Sequence, residues 1–175
     1  MGLRRDIYAE HSNLVPTEFL QSLFVAELIR PSSRIWISSP WITDIDLIDN
    51  TARQFGTLVP SWSASWIRLS DVISILLERR SEIVIIANYD PHNTEFLSRV
   101  GLLREMHPDR LHIFQTTDVH EKGILTDNFT LDGSMNFTYR GVNINQEYLG
   151  YRCDPQTIHE RRLVLEERWG KQLWA

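Results

Sequence analysis

The chain has 175 residues, the size of a single domain, and its 42% hydrophobic and 23% charged residues exclude a disordered protein. A formal net charge of −5 argues against a continuous basic coat for nucleic acid, although a local basic groove is compatible with it. The single cysteine, Cys153, excludes an internal disulfide and a multi-cysteine zinc site.

We expect neither a signal peptide nor a transmembrane segment in this sequence. No stretch approaches the roughly 18 consecutive apolar residues that a membrane-spanning helix needs, and the N-terminal segment lacks the apolar run of a signal peptide. We therefore expect a cytoplasmic protein without membrane association. Because no repeat or long linker interrupts the chain, we predict an N-terminal arm over residues 1–15 and one domain over residues 16–175.

Three units of a helix followed by a strand are predicted in the first two thirds of the chain. Apolar residues recur at helical spacing and then give way to short apolar runs. The helices are predicted over residues 17–29, 69–80 and 93–106, and the strands over residues 34–38, 83–87 and 111–114. This alternation predicts an α/β domain with a mixed, mostly buried β-sheet flanked by helices on both faces.

The last third of the chain is predicted to contain shorter elements. Strands are predicted over residues 119–125, 128–131 and 147–152, a short helix within residues 134–140, and an amphipathic helix over residues 155–172. Three tryptophans, Trp41, Trp62 and Trp66, either stack on bases or pack in a core or interface, and packing is the commoner role. The arginine pairs 79–80 and 161–162 are either phosphate contacts or ordinary solvated helix charges.

A candidate site lies between His120 and Glu147. Alternate residues of a strand share a face, so His120 and Lys122 are expected to project in the same direction. A neutral imidazole can attack phosphorus and form a covalent intermediate, and a carboxylate such as Glu147 on its other nitrogen fixes its tautomer. A lysine and the amide of Asn136 can hold the nonbridging phosphate oxygens. These residue types together predict phosphodiester chemistry.

The same segment resembles a known family. The sequence HEKGILTD resembles HxKxxxxD, the signature of the phospholipase D superfamily, through His120, Lys122 and Asp127. Residues 133–136 (GSMN) resemble the family's GSxN, and Glu147 falls where its histidine-supporting glutamate is expected. The resemblance implies a phospholipase D-like fold and a phosphodiesterase that needs neither a metal nor another cofactor.

The resemblance also implies a homodimer. Sites of this family combine two HxK motifs, with one histidine as nucleophile and the other protonating the leaving oxygen, whereas this chain has one copy. The catalytic set is then His120, Lys122, Asn136 and Glu147 of both subunits around a two-fold axis.

Three further residues receive supporting roles. Ser134 either joins Lys122 and Asn136 in binding phosphate or caps the helix that follows. Gly133 permits a sharp turn or a close approach of the backbone to a ligand. Asp127, at an odd offset from His120, is interpreted as a turn-fixing residue.

The leading hypothesis is a nuclease that acts through a phosphohistidine intermediate, with DNA favoured over RNA. One alternative is a phospholipid-cleaving enzyme of the same superfamily, for which only residues 58–66 offer an apolar lip. Another is a non-catalytic nucleic-acid-binding subunit. Similarity to short bacterial relatives found in phage-defence and DNA-modification gene clusters adds the proteins of a defence complex as possible partners.

Overall fold

The structure, a computed structural model, describes residues 4–8 and 15–173 and is built on a seven-stranded mixed sheet. Its strands are β1 (Arg4–Tyr8), β2 (Arg34–Ser38), β5 (Glu82–Asn88), β6 (Leu111–Thr116), β7 (Gly123–Leu125), β8 (Thr130–Gly133) and β9 (Tyr148–Arg152). Their order in the sheet is β1-β9-β8-β7-β2-β5-β6. Two further strands, β3 (Asp46–Asp49) and β4 (Trp66–Arg68), form a separate antiparallel pair.

Helices cover both faces of the large sheet. They are α1 (Val15–Ile29), α2 (Leu69–Glu78), α3 (Thr94–Met106), α4 (Tyr139–Asn143) and α5 (Pro155–Leu173), and a 3₁₀ turn over Pro91–Asn93 precedes α3. Within these ranges no helix has the length and apolar character that crossing a bilayer requires.

Alternate side chains of the central strands enter two different cores. Ile83 and Ile85 of β5 pack in a large cluster with buried residues of α1, α2 and α3. Val84 and Ile86, which point to the opposite face, pack with Trp169 and other residues of α5. Both faces of β5 are therefore buried, which explains why its sequence is almost continuously apolar. The predicted α/β fold with helices on both faces is confirmed.

Three predicted elements differ from the structure. The strand predicted over residues 119–125 begins only at Gly123, because its partner β2 ends opposite at Ser38 and Pro40 lacks the N–H that would extend the ladder. The helix predicted within residues 134–140 begins at Tyr139, with Thr138 as its cap. Inside the predicted arm, Arg4–Tyr8 forms β1, which pairs with β9, and Val15 begins α1. Residues 1–3 and 9–14 of that arm lie outside the described residues.

Gly133 is required where β8 meets β9. A Cβ atom at this position would overlap the carbonyl oxygen of Tyr148 on the neighbouring strand. Backbone atoms cannot yield as a flexible side chain does, so any larger residue forces the two strands apart. Gly133 therefore allows β8 and β9 to pack closely, directly beside the candidate site.

Replacing Gly133 by alanine should lower the free energy of unfolding by about 1–3 kcal/mol, the usual cost of overpacking. The matched control is Gly101→Ala in the interior of α3, where a new Cβ meets no atom within 4 Å. That control should raise stability by up to about 1 kcal/mol, because glycine is a poor helix former. Urea unfolding of both variants measures the difference, and equal effects would contradict the packing role of Gly133.

Candidate active site

The sheet topology brings the predicted site residues to one edge. The parallel strands β2 and β5 end at this edge with Ser38 and Asn88. Strand β7 runs antiparallel to β2, so its first residue, Gly123, lies opposite Ser38. By the same alternation β8 ends here and β9 begins here. His120, Lys122, Ser134, Asn136 and Glu147 therefore all belong to loops at this edge, although they span 28 positions of the sequence.

Side chains, rather than a strand ladder, hold the segment that carries His120 and Lys122. The amide of Asn88 accepts a hydrogen bond from the Val119 N–H (2.8 Å) and donates one to the Val119 carbonyl (3.3 Å). The Ser38 hydroxyl lies 3.5 Å from the carbonyl oxygen of Glu121. These contacts fix the backbone on either side of His120.

Glu121, which lies between His120 and Lys122 in the motif, has a structural partner. Its carboxylate forms an ion pair with Arg161 of α5, and both side chains are partly buried. The pair ties the motif segment to the helix that covers the second face of the sheet. An acidic residue between His120 and Lys122 is thereby explained, and its charge is neutralised away from the site.

The side chains of His120 and Lys122 remain available to a ligand. His120 is exposed, and no side chain of residues 4–8 or 15–173 forms a hydrogen bond with its ring. The ammonium of Lys122 donates to the carbonyl oxygen of His120 (3.0 Å), so the two residues do lie together. Gly133 donates to the carbonyl oxygen of Lys122 (3.3 Å), which places the lysine backbone beside the end of β8.

Asn136 lies on a segment that is fastened to the exit of β2. Its Oδ1 lies 3.5 Å from the hydroxyl of Ser39, which also accepts a hydrogen bond from the Phe137 N–H. The Thr43 N–H donates to the Phe137 carbonyl at 2.8 Å. The segment that follows β2, residues 39–41 (Ser-Pro-Trp), and the GSMN segment are therefore adjacent in the fold.

Glu147 bonds to Ser134 and Asn145 in the single chain and forms no hydrogen bond or ion pair with His120. One carboxylate oxygen accepts a hydrogen bond from the Ser134 hydroxyl, and the other accepts one from the Asn145 amide (3.2 Å). Ser134 Oγ in turn accepts from the Tyr148 N–H at 2.9 Å. The suggestion that Ser134 caps a helix is wrong, since the helix begins five residues later and Ser134 bridges β8 to β9 instead.

Asp127 lies at the opposite end of β7 from His120. Its carboxylate accepts hydrogen bonds from the N–H and the hydroxyl of Ser33, at 2.6 and 2.7 Å, and pairs with Arg162 of α5 at 2.7 Å. These contacts join the β7–β8 turn to the start of β2 and to the covering helix. Asp127 therefore has structural contacts. It does not lie at the edge of the sheet that holds the other motif residues.

The tryptophans and the paired arginines of the sequence differ in their burial and contacts. Trp62 is buried in the core, whereas Trp41 and Trp66 are 45% and 44% exposed. Arg79 donates to the backbone carbonyls of Leu28 and Leu58. With Arg161 and Arg162 engaged by carboxylates, three of the four paired arginines are structural.

A pocket of about 450 Å³ opens beside Asn136, and Trp41 forms part of its wall. The indole N–H of Trp41 donates to Asp90 at 2.9 Å, and the His92 N–H donates to the same carboxylate. The hydrogen bond from the His92 backbone, followed by those from Trp41 and the His92 ring, lowers the pKa of Asp90 from 3.8 to about 2. The carboxylate is thus ionised at neutral pH and holds the indole in place.

Sequence reasoning missed Asn88 and Asp90, and it did not predict the ion pair of Arg161 with Glu121. For the first two a signal was present, because polar residues directly after a buried strand lie at the ligand-binding edge of an α/β sheet. Asp90 also precedes Pro91 at the start of a helical turn, as an N-cap does. Arg161 gave no such signal, since its partner is 40 positions away.

The Asp90 contact predicts a pH-dependent contribution to stability. Its folded-state pKa of about 2 lies below the ordinary 3.8, so the contribution is complete above pH 3.8 and is lost as the pH falls towards 2. Asp90→Asn should therefore be less stable than the parent protein near neutral pH, and the two should converge in acid. Urea unfolding at a series of pH values measures this difference; a difference that does not change with pH would contradict the role of the carboxylate.

No protein-family model and no curated protein matches the sequence. Solved structures do match. NucT from Helicobacter pylori superposes with a TM-score of 0.65 at 14% identity, over 95% of each chain. The phospholipase D family member Nuc from Salmonella typhimurium gives 0.61 at 13% identity, over 97% of this chain and 95% of that one. Phosphatidylserine synthase from Haemophilus influenzae Rd KW20 gives 0.61 at 16% identity, over 97% of this chain and 38% of its own. The chain has the phospholipase D-like fold that its HxKxxxxD motif predicts.

Proposed function

We propose that this protein is a metal-independent phosphodiesterase that cleaves nucleic acid as a homodimer. The observation that carries the proposal is the convergence of His120, Lys122, Ser134, Asn136 and Glu147 on one edge of the sheet. A nucleophile, a cation, an amide, a hydroxyl and a carboxylate are the groups that phosphoryl transfer through a covalent histidine intermediate requires. The fold shared with Nuc, named as a phospholipase D family member, supports the same chemistry.

The proposed reaction has two steps, formation of a phosphohistidine and its hydrolysis. A neutral ring nitrogen of one His120 attacks phosphorus, the P–O bond to the leaving oxygen breaks, and the protonated His120 of the partner subunit donates a proton to that oxygen. Water then attacks phosphorus, gives its proton to the same partner histidine, and breaks the P–N bond. Lys122, Asn136 and Ser134 hold the nonbridging oxygens in both steps.

Glu147 is proposed to support the imidazole. Each of its oxygens accepts one hydrogen bond within the chain, from Ser134 or from Asn145. An ionised carboxylate has about four acceptor positions, so it can also accept from a histidine ring. In that arrangement it stabilises the positive charge that develops on the ring and links the histidine to the hydroxyl of Ser134.

Dimerisation is proposed because one chain supplies half of the reacting groups. His120 is exposed and its ring has no hydrogen bond to a described side chain, so a second copy can approach it. Two copies related by a two-fold axis through this edge bring both histidines to one phosphate. DNA remains the favoured nucleic acid, and partner proteins of a defence complex remain part of the hypothesis.

The phospholipid alternative is less well supported by the contacts. The segment considered as an apolar lip, residues 58–66, buries Val59 and Trp62 in the core. These two side chains therefore stabilise the fold and are not available to a membrane, which leaves Trp66, 44% exposed, as the main exposed apolar side chain of the segment. A cleavage assay with the His120→Ala variant distinguishes the nucleic-acid-binding alternative from the enzyme.

Purified protein should cleave DNA in the presence of EDTA, and His120→Ala should reduce the rate at least about a thousandfold because the nucleophile is lost. The matched control is His159→Ala, which alters an exposed histidine on α5 and should retain the parental rate. Single- and double-stranded DNA and RNA are compared, together with phospholipid vesicles. Cleavage that survives His120→Ala would exclude the proposed nucleophile, and DNA binding without cleavage by the parent protein would establish the binding module instead.

Mixing subunits tests the shared site. Parent protein and His120→Ala protein are unfolded together and refolded, so that the subunits distribute at random. If both histidines of a dimer are needed, activity should fall with the square of the parental fraction; if each chain acts alone, it should fall in direct proportion. Sedimentation equilibrium establishes the dimer, and His159→Ala subunits serve as the control that should not lower the activity. A strict monomer or a linear decline would refute the two-histidine site.

A further inference from the structure

The pocket of about 450 Å³ beside the candidate active site has an aromatic wall and a cationic rim. Trp41 and Tyr139 supply rings, Arg140 supplies the charge, and Asn136 and Asn145 supply amides. Its size lies within the usual range of small-ligand sites, which is roughly 300–1,000 Å³. Asn136 belongs to the pocket and also to the proposed phosphate site, so a group bound in the pocket is adjacent to the reacting phosphate.

Trp41 is held in a fixed position although it is 45% exposed. Asp90 holds its indole N–H, and the hydroxyl of Ser39 donates to its carbonyl oxygen at 2.7 Å. The preceding carbonyl, that of Pro40, accepts from the buried amide of Asn93 at 3.0 Å. A large aromatic surface is thus immobilised at the pocket without contributing to the core, which reduces the entropy lost when a ligand binds.

Tyr139 and Arg140 begin α4 and reach the pocket from the other side. Tyr139 is 65% exposed. Arg140 is also exposed, and its guanidinium forms no ion pair with any of residues 4–8 and 15–173. Thr138 caps this helix through the Gly141 N–H, so the two residues start from a defined backbone. An unpaired guanidinium beside two rings matches a planar base attached to a phosphate.

We propose that this pocket binds one unpaired nucleobase of a single-stranded nucleic acid and thereby places the adjacent phosphodiester at the catalytic edge. This inference rests on the proposed function and names the substrate class. Aromatic stacking needs a free base face, which a base inside a duplex does not offer. A lipid acyl chain is a poorer match, because Asn136, Arg140 and Asn145 interrupt the apolar wall.

The experiment compares two oligonucleotides of equal length and charge. One is oligodeoxythymidylate, and the other has the same sugar-phosphate chain with abasic residues throughout. The parent protein should bind and cleave the base-containing strand better, by roughly the 5- to 150-fold that one stacked base contributes. Trp41→Ala and, independently, Tyr139→Ala should reduce this ratio towards one. Trp66→Ala removes an equally exposed tryptophan of β4 outside the pocket and should keep the parental ratio.

The outcomes separate this inference from the proposed function. Equal cleavage of both strands by the parent protein overturns the base pocket and leaves the nuclease intact. A ratio that survives both Trp41→Ala and Tyr139→Ala overturns it as well. Preferential binding of the base-containing strand without any cleavage supports the pocket and refutes the proposed catalysis. Absence of both binding and cleavage overturns both.

Discussion

The antiparallel pairing of β7 with β2 is the constraint on which the candidate site depends. Three helix-strand units build a parallel half-sheet whose strands end at one edge. Because β7 enters beside β2 in the opposite direction, the residues that precede it arrive at that same edge. Strands β8 and β9 then alternate and return Ser134 and Glu147 to it. A parallel pairing would carry His120 to the other end of the sheet, and a shift of one residue would reverse the faces of the strand.

The site residues themselves are held by a second set of polar residues. His120 and Lys122 lie outside any strand. The backbone of residues 120 and 121 therefore forms no hydrogen bonds of the sheet ladder. The Asn88 amide and the Glu121–Arg161 pair replace those bonds. Rigid support of this kind matters for catalysis, because displacements of about 1 Å in a reacting group can cost 10²-fold in rate. The segment is thus exposed for chemistry on one side and anchored to the sheet and to α5 on the other.

Local patterns were sufficient for the fold class, since each helix-strand unit has its own apolar period and each central strand is apolar throughout. The motifs likewise predicted the residues that meet at the edge, because their chemistry is distinctive and their spacing is fixed, although Asp127 of the same motif lies at the other end of β7. Features that depend on distant partners were not predictable. Strand β1 is defined by pairing with β9, about 140 positions away. The true start of β7 depends on where β2 ends, and the role of Glu121 depends on Arg161. The contact of Glu147 with Ser134 required knowing the register of β8 against β9.

The distribution of charge reconciles an acidic chain with a phosphate-binding site. Several arginines are paired with carboxylates, and two of these pairs, Arg34 with Glu82 and Arg162 with Asp127, lie at the opposite end of the sheet from the edge. At the edge and its pocket, Lys122 and Arg140 form no ion pair with a described residue. So few available cations give few phosphate contacts, and the Coulombic share of nucleic-acid affinity grows with the number of those contacts. Binding must then draw on contacts that do not depend on net charge, and stacking on fixed aromatic rings is the contact that this edge offers.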